Sequence, residues 1–171
     1  MGDLGAQLLL NCSDRGASSS RYSSGRSNER HALAQGQNGG MADSEATLHA
    51  MGDEQYVQLT TFRKNGDAVG TAVWVVRDAD RLLVTTGADS GKVKRLHHTS
   101  AVELRPCDRA GKVLDGAPMV PAMARDDPSD VTRERLDELL LAKYGLMYRA
   151  IQAAQKLSRS STSTAVVITA D

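Results

Sequence analysis

The chain is poor in the features that announce most functions. Only two cysteines, Cys12 and Cys107, occur in 171 residues, so a disulfide framework is excluded. No apolar run approaches the ~18 residues of a membrane span, so nothing points to a membrane. Net charge is zero, with 21 Lys+Arg against 21 Asp+Glu, so no basic field favours a nucleic-acid polyanion. The four histidines fall as two singles and one adjacent pair, and with two distant cysteines they give no zinc spacing, so no metal site is expected. Aromatic residues reach 4% and the apolar fraction 40%, low for a fully folded chain.

The shortfall is concentrated near the N-terminus. Gly16–Arg26 (GASSSRYSSGR) and Gln35–Gly40 (QGQNGG) have too little apolar area to offset chain entropy. Leu8-Leu9-Leu10 lacks the basic flank and the length of a secretory leader. The residues before Cys12 do not suit a lipoprotein cysteine, and Ala6 stands where myristoylation wants Ser or Thr. Asn11-Cys12-Ser13 is a sequon in form only. Residues 1–45 are therefore expected to be a disordered extension, with Met41 and Met51 each suited to be a start, and residues 46–171 to be the folded domain. A cytoplasmic protein is expected. The first fifty residues hold four basic and five acidic side chains, so the remainder is still nearly neutral.

From Tyr56 the pattern becomes that of strands. Val57, Leu59 and Thr61 alternate onto one face. Asn65-Gly66 is a hairpin signal, since both residues tolerate positive φ. A second strand is predicted over Val69–Val76, then a turn at Asp78-Ala79-Asp80 and a third strand over Leu82–Thr86. Ser90 would cap a short helix from Gly91 to His97. Further strands are expected at Ala101–Arg105, Lys112–Leu114 and Met119–Arg125, the last weakened by Pro121. Asp127-Pro128-Ser129 opens a helix with Val131, Leu136, Leu139 and Leu140 at helical spacing. Gly145 breaks it, a second helix runs from Leu146 to about Leu157, and Thr164–Thr169 forms a closing strand. About six antiparallel strands with flanking helices predict a mainly β protein, a small barrel with helices outside.

Motif scanning removes most chemistries. Gly87–Val93 (GADSGKV) has three residues between its glycines and a valine after its lysine, which excludes a P-loop. No G-x-G-x-x-G, H-E-x-x-H or G-x-S-x-G occurs. His97 and His98 diverge on a helix, and Cys107 beside Pro106 reads as packing. One constellation remains. Lys92 and Arg95 are three apart near a helix start, so both project from one face, while Thr86 and Ser90 add hydroxyls. That arrangement suits a phosphate or small acidic ligand; a solvated basic helix face is the alternative.

These segments resemble a known family. TTFRKNGDAVGTAVWVV (Thr60–Val76), LLVTTGADSGKVKRL (Leu82–Leu96) and VELRPCDRAGKV (Val102–Val113) resemble the pyridoxamine-phosphate-oxidase-like split β-barrel superfamily. More narrowly they look like the PPOX-class F420-dependent oxidoreductases common in actinobacteria. Ala122–Arg125 and Lys143-Tyr144-Gly145 fit the same pattern, while Ala72 replaces a frequent proline. The resemblance covers about residues 54–170. It implies a homodimer of FMN-binding-type split barrels with a cofactor between subunits and a small-molecule substrate. F420 is the implied cofactor, with FMN as the alternative. Lys92 and Arg95 would take the cofactor phosphate, Thr86 and Ser90 would add hydrogen bonds, and Thr71, Ala72, Val73 and Trp74 would line the ring. The implied reaction is hydride transfer to an enone, quinone or tetrapyrrole. No side chain is assigned as catalytic; a proton would come from solvent, Tyr144 or Tyr148. Trp74 as barrel core competes with Trp74 as a ring shelf. A non-enzymatic carrier of F420, FMN or haem on the same fold is the rival reading, and a cofactor-free dimeric interaction module a third.

Overall fold

The computed structural model describes residues 40–157 and 162–171. The elements run α1 (Gly40–Met51), β1 (Val57–Phe62), β2 (Ala68–Val73), β3 (Val75–Asp78), β4 (Arg81–Gly87), α2 (Gly91–Leu96), β5 (Ala101–Pro106), β6 (Val120–Asp127), α3 (Asp130–Leu157) and β7 (Ser163–Ala170). The strands form one antiparallel sheet in the order β2-β1-β5-β6-β7-β4-β3. Its two edge strands are consecutive in the chain, with Trp74 between them. The sheet therefore curls until its ends meet at Trp74, and it encloses an apolar interior.

The strand expected over Val69–Val76 is thus two ladders. Its first part pairs with β1, from Ala68↔Phe62 to Val73↔Val57. Its second part pairs with β4, from Val75↔Val84 to Asp78↔Arg81. The partner changes at Trp74, so β1 and β4 separate there. Taking β1 and β4 as pointing upward, an upper seam lies between β2 and the Thr85–Gly87 end of β4. A lower seam lies between β3 and the residues that precede β1.

Alternation along each strand divides the side chains between two cores. Val57, Leu59, Val73, Val75, Leu82, Val84, Val102, Leu104, Val166 and Ile168 fill the barrel interior. Trp74, Val76, Leu83, Ala165 and Val167 face outward and pack under α3 through Leu136, Leu140 and Tyr148. The expected inward face Val57-Leu59-Thr61 is observed, with each residue at most 1% exposed.

Local chemistry accounts for the turns. The β1–β2 loop is a turn closed by Gly66 N–H donating to Arg63 O at 2.9 Å. Only Gly66 has a positive φ, +87°, so Asn65 does not take the left-handed conformation expected of it. Asn65 instead bonds Asp67, its amide donating to the Asp67 carboxylate at 2.9 Å. The β3–β4 hairpin has two loop residues, and Ala79 carries the positive φ, 56°. The expected Lys112–Leu114 strand shrinks to a single bridge, Cys107↔Val113. Asp108 organises that loop by accepting from the Ala110 and Lys112 N–H groups at 2.8 and 2.9 Å.

The helices correct the expected boundaries. α1 begins at Gly40, inside the segment expected to be disordered, and its Leu48 and Met51 are 0% and 3% exposed in the barrel interior. These two residues sit three apart on a helix whose other residues, Met41 aside, are small or polar, too sparse a stripe for the sequence to reveal. Residues 1–39, with Cys12, lie outside the described residues. α3 starts at Asp130, where Ser129 Oγ accepts from Thr132 N at 3.3 Å. Gly145, at φ 53° and ψ −125°, kinks it where a break was expected. Leu136 and Leu140 are buried, but Val131 is 78% exposed and does not join the apolar face. Among the described residues no helix is long and apolar enough to cross a membrane.

Candidate functional site

The upper end of the barrel is built by strand alternation. On β1 the inward series is Val57, Leu59, Thr61; on β4 it is Leu82, Val84, Thr86. In both the third inward position is a threonine rather than a hydrocarbon, and the two are 1% and 4% exposed. The Gly87–Gly91 loop then turns the chain into α2. Ser90 caps it, its hydroxyl accepting from Val93 N, while Val93 and Leu96 pack inward. This leaves Lys92 and Arg95 beside the two threonines.

Each cation takes one threonine. Lys92 Nζ donates to Thr86 Oγ1 at 3.1 Å. Arg95 Nε donates to Thr61 Oγ1 at 2.8 Å. Thr86 and Ser90 share a hydrogen bond at 3.2 Å. Arg95 also lies so close over Gly91 that a Cβ there would stand 3.0 Å from its Nη1. The structure thus gathers Thr86, Ser90, Lys92 and Arg95 as expected, and adds Thr61. The clue to Thr61 was a hydroxyl on the buried face of β1; its partner, 34 residues away, could not be read from the pattern.

The expected ring-side strand does not hold together as one surface. Thr71 and Val73 point into the barrel, while Ala72 and Trp74 point out, because successive side chains of a strand alternate. Ala72 faces the Gly111 turn, its Cβ 3.6 Å from where a Gly111 Cβ would lie. Gln58 Nε2 donates to Gly111 O at 2.8 Å beside it. Gly111 holds φ +87°, so this tight turn wants glycine. Trp74 is 4% exposed and stacks on Tyr144 at 4.4 Å and 9°, with Tyr148 tilted at 6.2 Å. It is core, and the shelf reading is corrected by that stacking.

The two candidate proton donors are likewise structural. Tyr144 Oη donates to Gln55 O at 2.8 Å and accepts from Val75 N at 3.3 Å. Burial pushes its phenol up to about 12. Tyr148 donates to Asp137, and burial together with that carboxylate raises its pKa too. Both project from α3 into the outer core, bonded to Gln55, Val75 and Asp137 rather than to the residues of the upper seam. Lys143 Nζ donates to Gly52 O, Glu54 O and Val75 O at 2.6, 2.6 and 2.8 Å. Burial lowers its pKa, against the raising effect of Asp53 and Glu54.

Other reactive groups are accounted for. Cys107 is 6% exposed, and burial, with Asp108 adding to it, pushes its thiol up to about 11, well away from a reactive thiolate. His97 Nε2 pairs with Asp126 Oδ1 at 2.9 Å on the surface. Among the described residues no three His, Cys, Asp or Glu side chains group as metal ligands do.

No family model and no curated protein matches the sequence. Solved structures do. HutZ, the haem storage protein of Vibrio cholerae, aligns at a TM-score of 0.54 and 13% identity, over 74% of this chain and 89% of its own. The chain has the pyridoxamine-phosphate-oxidase-like split-barrel fold. A conserved hypothetical protein of Mycobacterium tuberculosis aligns at 0.52 and 17% identity, over 84% of this chain and 86% of its own. An F420-H2-dependent reductase aligns at 0.46 and 17% identity, over 66% of this chain and 93% of its own, a likeness too loose to weigh. Identities this low speak to the fold of the split barrel and leave its ligand to the site itself.

Proposed function

We propose that this split barrel is an F420-dependent oxidoreductase of the cytoplasm, working as a homodimer and passing a hydride between reduced deazaflavin and a conjugated small-molecule acceptor such as an enone, quinone or tetrapyrrole. The observation that carries the reading is the pair of cations at the upper seam, Lys92 and Arg95, each held by a buried hydroxyl of the barrel. The sequence resemblance to PPOX-class proteins supports the choice of cofactor.

The donor set fits the anionic part of such a cofactor. An ammonium and a guanidinium attract a phosphate, and the Ser90 and Thr86 hydroxyls add neutral donors. When bound, the deazaflavin supplies the hydride from ring carbon 5. The chain's own residues bind and orient. Lys92 and Arg95 anchor the charged end, the apolar interior beside the seam excludes water, and the unpaired upper edge of β2 leaves room for a second copy to complete the groove. Thr71 and Val73 are the ring-side residues that face inward. Proton delivery then falls to solvent.

Titration with F420 and FMN side by side tests the cofactor. Tighter binding of F420, weakened in the Lys92→Ala/Arg95→Ala double variant, supports the reading; tighter binding of FMN shifts it to a flavin enzyme. Bleaching of reduced F420 with a panel of enones and quinones tests turnover. A carrier without turnover is the second reading, and the fold shared with a haem storage protein favours it specifically. Saturable cofactor binding with no bleaching by any acceptor would establish that alternative.

A further inference from the structure

Two strands of the barrel repeat one pattern at the upper end. Val57-Gln58-Leu59-Thr60-Thr61 on β1 and Leu82-Leu83-Val84-Thr85-Thr86 on β4 each place two hydrocarbons and then a threonine on the inward face. β1 and β4 point the same way, so the two hydroxyls arrive at the same end of the barrel. Neither is left unused in the dry interior: Thr61 accepts from Arg95 Nε at 2.8 Å and Thr86 from Lys92 Nζ at 3.1 Å.

We infer that Thr61 and Thr86 are the positioning residues of the anion site, setting the separation and aim of Arg95 and Lys92 so that both converge on one phosphate group. This rests on the reading of the site as a phosphate anchor. A hydroxyl accepting from a guanidinium Nε fixes the plane of the guanidinium, because Nε is part of the rigid planar fork. A buried strand residue is a stiff support for that bond, since β-branched threonine has few rotamers. The bond adds a dipole and no negative charge, so the threonine orients the cation without itself competing for a phosphate. A carboxylate at either position would hold the cation as firmly and compete with the ligand for its charge. Gly91 belongs to the same arrangement, because the Arg95 guanidinium passes over its bare Cα.

Thr61→Val and Thr61→Ser separate positioning from packing. Valine keeps the shape and removes the hydroxyl; serine keeps the hydroxyl. The readouts are affinity for F420 and for its phosphate-free deazaflavin core, together with the exchange rate of the Arg95 Nε–H seen by NMR. In the wild type that proton is expected to exchange slowly. Thr61→Val should weaken F420 about tenfold, the scale of one charge-assisted hydrogen bond, leave the phosphate-free core unchanged, and speed the exchange. Thr61→Ser should restore both. Thr86→Val should act in the same direction through Lys92. Unchanged F420 affinity in Thr61→Val, with Arg95→Ala still weakening it, overturns the positioning role and leaves the anchor standing. A wild type that binds neither F420 nor FMN overturns the anchor, and the positioning role with it. Equal losses for F420 and the phosphate-free core mark a packing defect and also overturn the inference.

Discussion

The two seams of this barrel are closed by different means. At the lower seam, below Trp74, the backbone of β3 and the stretch before β1 are sewn together by side chains of α3. Tyr144 joins Gln55 O to the Val75 backbone, and Lys143 gathers three carbonyls from the same two segments. Trp74 stacks against Tyr144 from the barrel side. At the upper seam the cations Lys92 and Arg95 meet threonine hydroxyls. A lysine whose three protons go to carbonyls of two segments far apart in the chain is a structural tie. Lys92 and Arg95 each donate to a threonine hydroxyl on a barrel strand. The contrast separates two lysines that look alike in the sequence: Lys143 ties backbone segments together, and Lys92 is the one the proposed function assigns to binding.

That division can be tested from its strongest consequence downward. Trp74→Ala removes the ring at the junction of both seams and should cost about 3–5 kcal/mol, read as a fall in urea midpoint. Lys143→Met keeps the bulk and leaves three carbonyls without their donor. It should cost about 2–3 kcal/mol in the same assay and leave cofactor affinity within about twofold in the fraction that folds. Lys92→Ala with Arg95→Ala should show the reverse, a loss of F420 affinity of about 10- to 100-fold with a stability change under about 1 kcal/mol. If the two lysines behave alike in both assays, the contrast between the seams is broken.

Two smaller effects sharpen the picture away from the seams. Asp78 is 9% exposed and bonded to Arg81 and Arg135 at 2.8–3.0 Å. Burial raises its pKa, but the hydrogen bonds and charges of Arg81 and Arg135 outweigh this and hold it below the ordinary value of 3.8. A depressed carboxylate contributes stability above its unfolded pKa and loses it as pH falls through the folded one. The advantage of wild type over Asp78→Asn, about 1 kcal/mol at neutral pH, should therefore be flat down to about pH 4 and shrink below it. A pH series of denaturation midpoints measures this. Last, Ala79 holds φ 56° in the β3–β4 hairpin. Ala79→Gly should relieve that strain and raise stability by about 0.5–1 kcal/mol, visible as a small rise in Tm.

Much of the architecture was legible because it rests on local chemistry. Alternating β-branched residues marked β1 and β4, Ser90 marked the start of α2, and Gly145 marked the kink in α3. Helix α1 escaped because, among its described side chains, Leu48 and Met51 alone are buried. The break at Trp74 escaped because both halves of that strand carry the same residue types; only their hydrogen-bonding partners differ.

At the site, spacing alone brought Lys92 and Arg95 to one face of α2 and put Ser90 and Thr86 nearby. Thr71–Trp74, grouped by adjacency, were divided between two faces by the pleat. By itself the sequence determined the strands, the turns, the short helix and the local basic cluster, because each depends on residues within a few positions of one another. The tertiary structure alone decided that Thr61 meets Arg95, that Trp74 belongs to the core, and that Lys143 is a tie. Those contacts join residues 34 to 91 positions apart, and such pairings exist only once the sheet has curled and its ends have met.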